Sequence, residues 1–234
     1  MALQTMEDET LTFGRRDALH GSLVWRNGYG THGPVGKTWG DLSIFIGPSI
    51  VWGRVDEFGA IEHMTWSWID LLEFLASAWP HLIRDQTCPV HIETHDEAAA
   101  SLGDLRACAM RQWHGLPDSQ ADREDETLRD FLVVHDFAEA LAGACPPQLI
   151  LLRDGEQMRV ETASESWIVS FTGTMSALDE LGEAIAERIA NLTDPRSANA
   201  RRRWLSRETP SPQSDACEVS QRSPFASDQT GDIP

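Results

Sequence analysis

Apolar side chains recur at helical intervals over the stretch Thr65–Pro80, TWSWIDLLEFLASAWP. Five large ones would share one face of a helix: Trp68, Leu71, Leu72, Leu75 and Trp79. A narrow polar strip remains beside that face: Asp70, Glu73 and Ser77. Thr65 offers an N-cap and Pro80 a stop signal. The pattern predicts a core helix. A partner-binding or membrane-surface helix is the alternative, and the lack of Lys and Arg argues against the membrane.

Alternating polar and apolar residues before this helix predict an antiparallel sheet. Its expected strands are His20–Trp25, Trp39–Phe45, Ser49–Val55 and Ala60–Met64. Gly47-Pro48 separates the second strand from the third and predicts a tight hairpin. One face of the sheet is expected to lie under the helix, which would bury three side chains: Leu42, Ile44 and Ile46.

The C-terminal half predicts a small meander between two helices. The expected strands of the meander are Gln148–Leu152, Gln157–Thr162 and Ser166–Phe171. Asp154-Gly155 is a strong hairpin signal between the first two of them. The flanking helices are expected at Arg123–Gly143 and Ser176–Leu192. Ser176 and Asp179 have the spacing of a capping box at the start of the second helix.

Together these elements predict an α+β protein, with an antiparallel sheet packed on a Trp-rich helix and then a three-strand antiparallel meander with flanking helices. The expected parts are a flexible leader (1–17), an N-terminal α+β subdomain (18–121), a C-terminal α+β subdomain (122–193) and a disordered tail (194–234). The apolar arc of the Trp-rich helix is wider than one small sheet needs to cover. We therefore expect the two subdomains to share one core, in which the C-terminal subdomain covers the other side of that helix.

The charge of the chain is strongly negative and unevenly distributed. The formal net charge is −18, and the region from Asp194 onward adds nothing to it because its six arginines balance its six acidic residues. A body this acidic would repel a phosphate backbone, which argues against general nucleic-acid binding. Basic partner surfaces or simple solubility are the natural explanations. Nine tryptophans beside one tyrosine indicate a Trp-rich core or a recognition surface.

The termini and the cysteines bear on the cellular compartment. The first residues are acidic and lack the apolar centre of a signal peptide, and no apolar run is long enough to span a bilayer. The four cysteines, Cys88, Cys108, Cys145 and Cys217, form no CxxC pair. Reduced thiols are therefore expected, and not a zinc site or a disulfide framework. The sequence predicts a cytoplasmic protein with no cofactor and no membrane contact.

The segment Cys88–Glu97, CPVHIETHDE, holds the densest set of metal-ligating residue types. His91, Glu93 and His95 alternate, so on a strand they would share one face and could seat a divalent metal. Their spacing, HIETH, differs from the HExxH of zinc peptidases, and an exposed polar loop is the simpler interpretation. The alternative function that this cluster leaves open is a metal-dependent hydrolase, with His135 as a further candidate.

The remaining candidates are residues that could take part in an interaction: Trp66, Trp79, His135, Asp136, Arg201, Arg202 and Arg203. His135 is expected on the apolar side of the helix Arg123–Gly143, as a hydrogen-bonded core histidine. A catalytic role would need a nucleophile nearby, and the chain has no G-x-S-x-G or Cys–His signature. The run Arg201–Trp204 could touch an acidic partner or the acidic body of the protein, but a solvated tail is the expectation.

Two segments resemble part of a known family. Trp66–Trp79, preceded by the strand pair DLSIFIG and SIVWGRV, resembles the N-terminal region of bacterial proteins that carry an ImmA/IrrE-type metallopeptidase domain downstream. Arg129–Ala144, RDFLVVHDFAEALAGA, followed by PPQLILLRDGEQMRVE, resembles the next part of the same region. The resemblance covers about residues 40–190.

This resemblance implies a non-catalytic module. In those proteins the peptidase activity belongs to an HExxH helix that follows this region, and no HExxH occurs in this chain, so no catalytic residue carries over. The resemblance implies a binding or regulatory module that contacts a peptidase, toxin or other effector protein in a bacterial stress, toxin–antitoxin or phage-defence system. An acidic inhibitor that masks a basic surface is a further alternative.

Overall fold

The computed structural model of the protein describes residues 9–25, 38–52, 54–55, 61–62, 64–84, 112–114, 116–141, 148–162 and 165–207. It confirms the predicted α+β class. An antiparallel sheet comes first along the chain, a helix that begins with a tryptophan follows it, and a three-stranded antiparallel sheet with flanking helices comes last.

The first sheet contains five strands: β1 (Glu9–Gly14), β2 (Leu19–Trp25), β3 (Trp39–Ile46), β4 (Ser49–Trp52) and β7 (Met64–Ser67). Their order is β1-β2-β3-β4, and β7 pairs with the first half of β3 while β4 pairs with the second half. The predicted hairpin at Gly47-Pro48 is confirmed, and Gly47 has the positive φ of 54° that such a turn favours. A separate pair of short strands, β5 (Arg54–Val55) and β6 (Ile61–Glu62), lies between β4 and β7 in sequence.

The central helix α1 spans Trp68–Arg84, so both predicted boundaries, Thr65 and Pro80, are wrong. Thr65 belongs to β7, where pairing with Asp41 of β3 uses the main chain that a helix would need. Pro80 lies inside α1. A proline there removes one main-chain hydrogen bond, but Leu82 beyond it is fully buried, and its burial favours the longer helix. As expected, α1 is covered by elements from the C-terminal half of the chain.

The second helix, α2, spans Asp118–Val133 and ends ten residues before the predicted Gly143. The chain then turns through His135 and Asp136 into a short 3-10 helix, Phe137–Leu141. Main-chain pairing explains the early end, because Asp136 forms a bridge with Ile150 of the next strand. His135 and Asp136 therefore lie in a turn beside a strand and not on a helix.

The predicted meander is confirmed, with strands β8 (Ile150–Asp154), β9 (Gln157–Glu161) and β10 (Ser166–Ser170) in the order β10-β9-β8. The hairpin at Asp154-Gly155 is also confirmed. Helix α3 spans Phe171–Arg188 and begins before the predicted Ser176. Its N-cap is Ser170, whose hydroxyl accepts a hydrogen bond from the Gly173 N–H at 3.1 Å, so the capping box expected at Ser176 is wrong.

Both predicted unstructured ends contain a regular element. In the expected leader, β1 pairs with β2 over its full length, and two bonds join it to α3. The Gly14 N–H donates to Glu180 at 2.8 Å, and Arg188 pairs with Glu9 at 2.8 Å. In the expected tail, residues Pro195–Leu205 form helix α4. Asp194 is the N-cap of α4 and Pro195 is its first residue, a combination that is typical of a helix start. The polar composition of the region after Asp194 led to the prediction of disorder instead.

One continuous core joins the two halves of the chain. It contains side chains from the first sheet, from α1, from the inner face of the meander and from α3 and α4, and Leu42, Ile44 and Ile46 are buried in it as predicted. Helix α3 packs on β1 and β2, while Trp68 of α1 meets Trp25 edge-on at 5.3 Å. A smaller cluster forms where α2 covers Ile150 on the outer face of the meander. In the described ranges, no helix is both long enough and apolar enough to cross a membrane.

The N-cap of α4 gives a pH-dependent prediction. The Asp194 carboxylate accepts from the Ser197 N–H at 2.9 Å. The neighbouring Ser197 hydroxyl and then this N–H lower the pKa of Asp194 below its ordinary value of 3.8. A depressed pKa stabilises the fold above 3.8, and this stabilisation is lost as the pH falls through the folded-state pKa. We expect Asp194→Ala to cost about 1 kcal/mol at neutral pH, measured by urea unfolding.

Asp194→Asn is the matched control because asparagine keeps the capping oxygen and does not titrate. The stability difference between the wild type and this variant should shrink as the pH falls below 3.8 and through the folded-state pKa of Asp194, while all other carboxylates titrate equally in both proteins. Identical pH profiles of the two proteins would show that Asp194 does not cap α4 as an anion.

Candidate functional site

A groove opens where the C-terminal end of α4 meets α1 and the first half of α3. We call it the C-terminal groove, and its volume is about 470 Å³. Its floor is apolar and buried: Trp79, Phe171 and Met175. Its rim carries charge and one exposed apolar side chain: Asp179, Glu183, Leu205 and Arg207. The groove therefore combines apolar surface with carboxylates at the edge of the core.

Trp204 inserts from α4 into the core beside two residues that line this groove, Trp79 and Glu183. Its side chain is fully buried and meets Trp79 edge-on with the ring centres 5.1 Å apart. The indole N–H donates to Glu183 at 3.2 Å, which satisfies the one polar atom of the ring. The ring fits only because residue 182 is glycine, since a Cβ atom there would overlap the indole. Gly182 thus determines where α4 docks.

Arg207, just after α4, closes the groove on the same side. Its guanidinium lies over the Trp204 ring, 3.7 Å from the ring centre. It also donates to Glu183 at 2.8 Å and to Asp179. These contacts use one oxygen of each carboxylate, and the side chains of Asp179 and Glu183 remain 46% and 50% exposed. A cation arriving from solvent can still reach both carboxylates.

A second set of arginine contacts, from both ends of α4, fixes this helix to the polar strip of α1. Arg196 pairs with Glu73 at 2.7 Å and with Asp70. The hydrogen bond to Glu73 is the main reason that the pKa of Arg196 is raised. Arg203 donates to the Ser77 hydroxyl at 2.7 Å. Asp70, Glu73 and Ser77 of α1 therefore form the polar surface on which α4 docks.

Among the residues that the structure describes, one side of the groove is open. Leu205 is 49% exposed, and Thr172 and Ser176 of α3 are exposed opposite it. Beneath the floor, the Arg153 guanidinium lies 4.2 Å from the ring centre of Phe171 and helps to hold that ring in place. Chemically, the groove can accept an apolar side chain on its floor and a positive group on its rim.

The structure brings together some of the sequence-predicted interaction residues and separates others. Trp79 lies in the C-terminal groove, and Arg201–Arg203 lie on α4 beside it. The expectation of a solvated tail is wrong for Arg201, which is half-buried, and for Arg203, which bonds to α1. Arg202 is exposed and donates to Asn199 of the same helix at 3.2 Å. The alternative that this run touches the acidic body of the protein is correct.

His135 and Asp136 lie away from the groove, in the turn before the 3-10 helix. His135 is fully buried, stacks on Phe131 at 4.1 Å and places its Nδ1 atom 2.6 Å from the Phe131 carbonyl oxygen. Asp136 accepts main-chain hydrogen bonds from Ala138 at 2.9 Å and from Leu149 at 3.2 Å. Both residues hold the turn against β8, which agrees with the expected core histidine.

The other predicted candidates fall outside the described residues. They are the metal cluster His91, Glu93 and His95 and the side chain of Trp66. Among the residues that the structure does describe, no three His, Cys, Asp or Glu side chains lie close enough to hold a metal ion.

Sequence reasoning missed most of the residues that build the groove. Phe171 and Met175 were missed because α3 begins earlier than its apparent capping box suggested. Asp179 was interpreted as part of that capping box, and Glu183 was not singled out. Gly182 was the available signal, since glycine inside a helix costs about 1 kcal/mol relative to alanine and so indicates a close neighbour.

Comparison of the chain with protein-family models, with curated proteins and with solved structures finds no match. The resemblance to the region upstream of ImmA/IrrE-type peptidase domains therefore stays a prediction.

Proposed function

We propose that this protein is a non-enzymatic binding module whose C-terminal groove holds a segment of a protein partner. The segment has an apolar side chain next to a Lys or Arg. One observation carries the proposal: an apolar floor and an exposed Leu205 adjoin two half-exposed carboxylates in one groove. The apolar side chain would pack on Met175 and Phe171, and the cation would approach Asp179 and Glu183.

The charge of the chain supports a basic partner. A net charge of −18 raises the local concentration of cationic surfaces and speeds their encounter with the protein. Exposed ion pairs add little affinity individually, so the apolar contact on the groove floor should provide most of the binding energy. Binding is then expected to weaken as salt screens the attraction.

The resemblance to the region upstream of ImmA/IrrE-type peptidases supplies a biological setting for this proposal. It implies an effector partner such as a peptidase or a toxin in a bacterial stress, toxin–antitoxin or phage-defence system. The metal-dependent hydrolase stays an alternative that depends on His91, Glu93 and His95, which lie outside the described residues.

Leu205→Glu tests the groove. A photo-crosslinking amino acid at Ser176, which is exposed on the groove rim, should capture a partner segment in an extract of the native host. The peptide attached to position 176, identified by mass spectrometry, is expected to contain Lys or Arg beside an apolar residue. Leu205→Glu removes the apolar wall on which the partner's apolar side chain packs. The added carboxylate offsets little of that loss because exposed ion pairs contribute little, so we expect at least about a tenfold loss of crosslink.

Ile168→Glu is the matched control. Ile168 is 51% exposed, nearly the same as Leu205, and the substitution changes the net charge equally at a different surface. It should leave the crosslink at position 176 intact. A crosslinked peptide without basic residues, or a crosslink that both variants reduce equally, would contradict the proposed groove.

A further inference from the structure

The two edge strands of the three-stranded sheet, β8 and β10, differ in whether their outward main-chain groups are hydrogen-bonded to a neighbouring segment. The turn that contains His135 closes the edge at β8: the Leu151 N–H donates to the His135 carbonyl at 3.0 Å, and the Phe137 N–H donates to the Leu149 carbonyl at 2.8 Å. β10 forms the opposite edge, and within the part of the chain that the structure describes it pairs with no strand other than β9. The outward main-chain groups of β10 can therefore accept another strand.

β10 lacks the features with which proteins usually protect a free edge. Its residues, SWIVS, include no charge and no proline, and its register with β9 is regular from end to end, without a bulge. Trp167 and Val169 pack against the core on one face, while Ile168 on the other face is 51% exposed. A regular, uncharged edge strand with an exposed isoleucine is a surface to which another strand can add.

We propose that β10 pairs with β10 of a second copy of this chain, antiparallel across a two-fold axis at Ile168. The strand is self-complementary in this arrangement. Ser166 of one copy lies opposite Ser170 of the other, Trp167 lies opposite Val169, and the two Ile168 side chains meet at the axis. No like charges face each other within the paired strands, although the whole chain is strongly acidic. The pairing joins the two meander sheets into one continuous sheet.

The size and charge of this contact make the dimer weak and salt-dependent. A pair of five-residue strands buries far less than the roughly 1,200 Å² of a stable interface. Each copy also carries a net charge of −18, so the copies repel each other and salt strengthens the pairing by screening that repulsion. Salt has the opposite effect on a basic segment in the C-terminal groove, so the two surfaces can be tested independently.

Sedimentation equilibrium of the full chain measures the association at about 50 mM and about 500 mM salt. The average mass of the wild type should rise above 26.0 kDa with concentration, and more steeply at the higher salt. Ile168→Lys places like charges at the axis and should weaken the association at least about tenfold. Leu205→Lys is the control, because it changes the net charge equally at a residue of similar exposure, 49%, and should leave the association unchanged.

Hydrogen exchange locates the contact. The amides of β10 should exchange more slowly as the wild-type concentration rises, and this change should be absent in Ile168→Lys. If Ile168→Lys fails to fold, Ile168→Thr keeps a strand-favouring residue and should still reduce the association. A protein that stays monomeric at every concentration and salt would overturn the proposal. A dimer that persists in the Ile168 variants, or that leaves the exchange of β10 unchanged, would also overturn it.

Discussion

Leu72→Asp is expected to unfold the whole chain in one cooperative step. Leu72 is fully buried in α1, and its cluster contains Leu23 of the first sheet and Ile185 of α3. A carboxylate at this position would lie within an apolar cluster, and its burial costs at least several kcal/mol. That cost is comparable with the total stability of a typical protein, about 5–15 kcal/mol. Circular dichroism and tryptophan fluorescence during urea titration measure the loss.

Leu72→Met is the control for this substitution. It keeps the side-chain volume and the apolar character and should cost less than about 1.5 kcal/mol. Because the two halves share one core, we also expect the C-terminal sheet and α3 to lose their structure together with the first sheet in Leu72→Asp. A separate melting transition of the C-terminal half in this variant would disprove the shared core.

Gly182→Ala is expected to destabilise the protein, although the same change stabilises most helices. In the middle of a helix alanine is favoured over glycine by about 1 kcal/mol. At Gly182 the added methyl group would overlap the buried ring of Trp204, so α4 must shift or leave its site. We expect a net loss of about 3 kcal/mol, which combines overpacking with partial loss of the tryptophan contacts. Urea unfolding measures it, and trypsin should cleave faster at Arg202, which is exposed on α4.

A double-mutant cycle isolates the contact between Gly182 and Trp204. Trp204→Ala alone should cost about 3–5 kcal/mol because it leaves a cavity. In that background the methyl group of Gly182→Ala has room, so the second substitution should be neutral or should stabilise the protein by about 1 kcal/mol. The effect of Gly182→Ala therefore changes sign with residue 204. An equal cost in both backgrounds would mean that the indole does not lie against Gly182.

Local periodicity predicted which elements exist but not where they end. The helix around Leu72 and the meander hairpin at Asp154-Gly155 follow from residues that are close in sequence, and both were predicted correctly. The boundaries at Pro80 and Val133 depend on distant partners. Burial of Leu82 in the core extends one helix beyond its proline, and pairing with β8 ends the other helix early. These effects arise from tertiary contacts that a local pattern does not contain.

The candidate site was predicted only in part for a related reason. Trp79 stood out because it belongs to a strongly periodic helix. In contrast, α4 buries only Ser197, Ala200 and Trp204, and it docks through arginine contacts to acidic side chains and to Ser77. A helix held by one indole and several ion pairs has no apolar stripe, so hydrophobic periodicity cannot detect it. Its partners on α1 and α3 become visible only when the helices are placed side by side.

The bonds between β1 and α3 have a consequence for how the chain folds. Gly14 and Glu180 are 166 residues apart in sequence, and Glu9 and Arg188 are 179 residues apart. Contacts between such distant residues form slowly because a long loop must close before any interaction offsets the lost entropy. β1 can pair with β2 early because that hairpin is local, but its bonds to α3 form only after α3 has formed. Until then the surface of β1 that α3 packs on stays uncovered, and this interval is when the folding chain is most prone to associate with a neighbouring molecule.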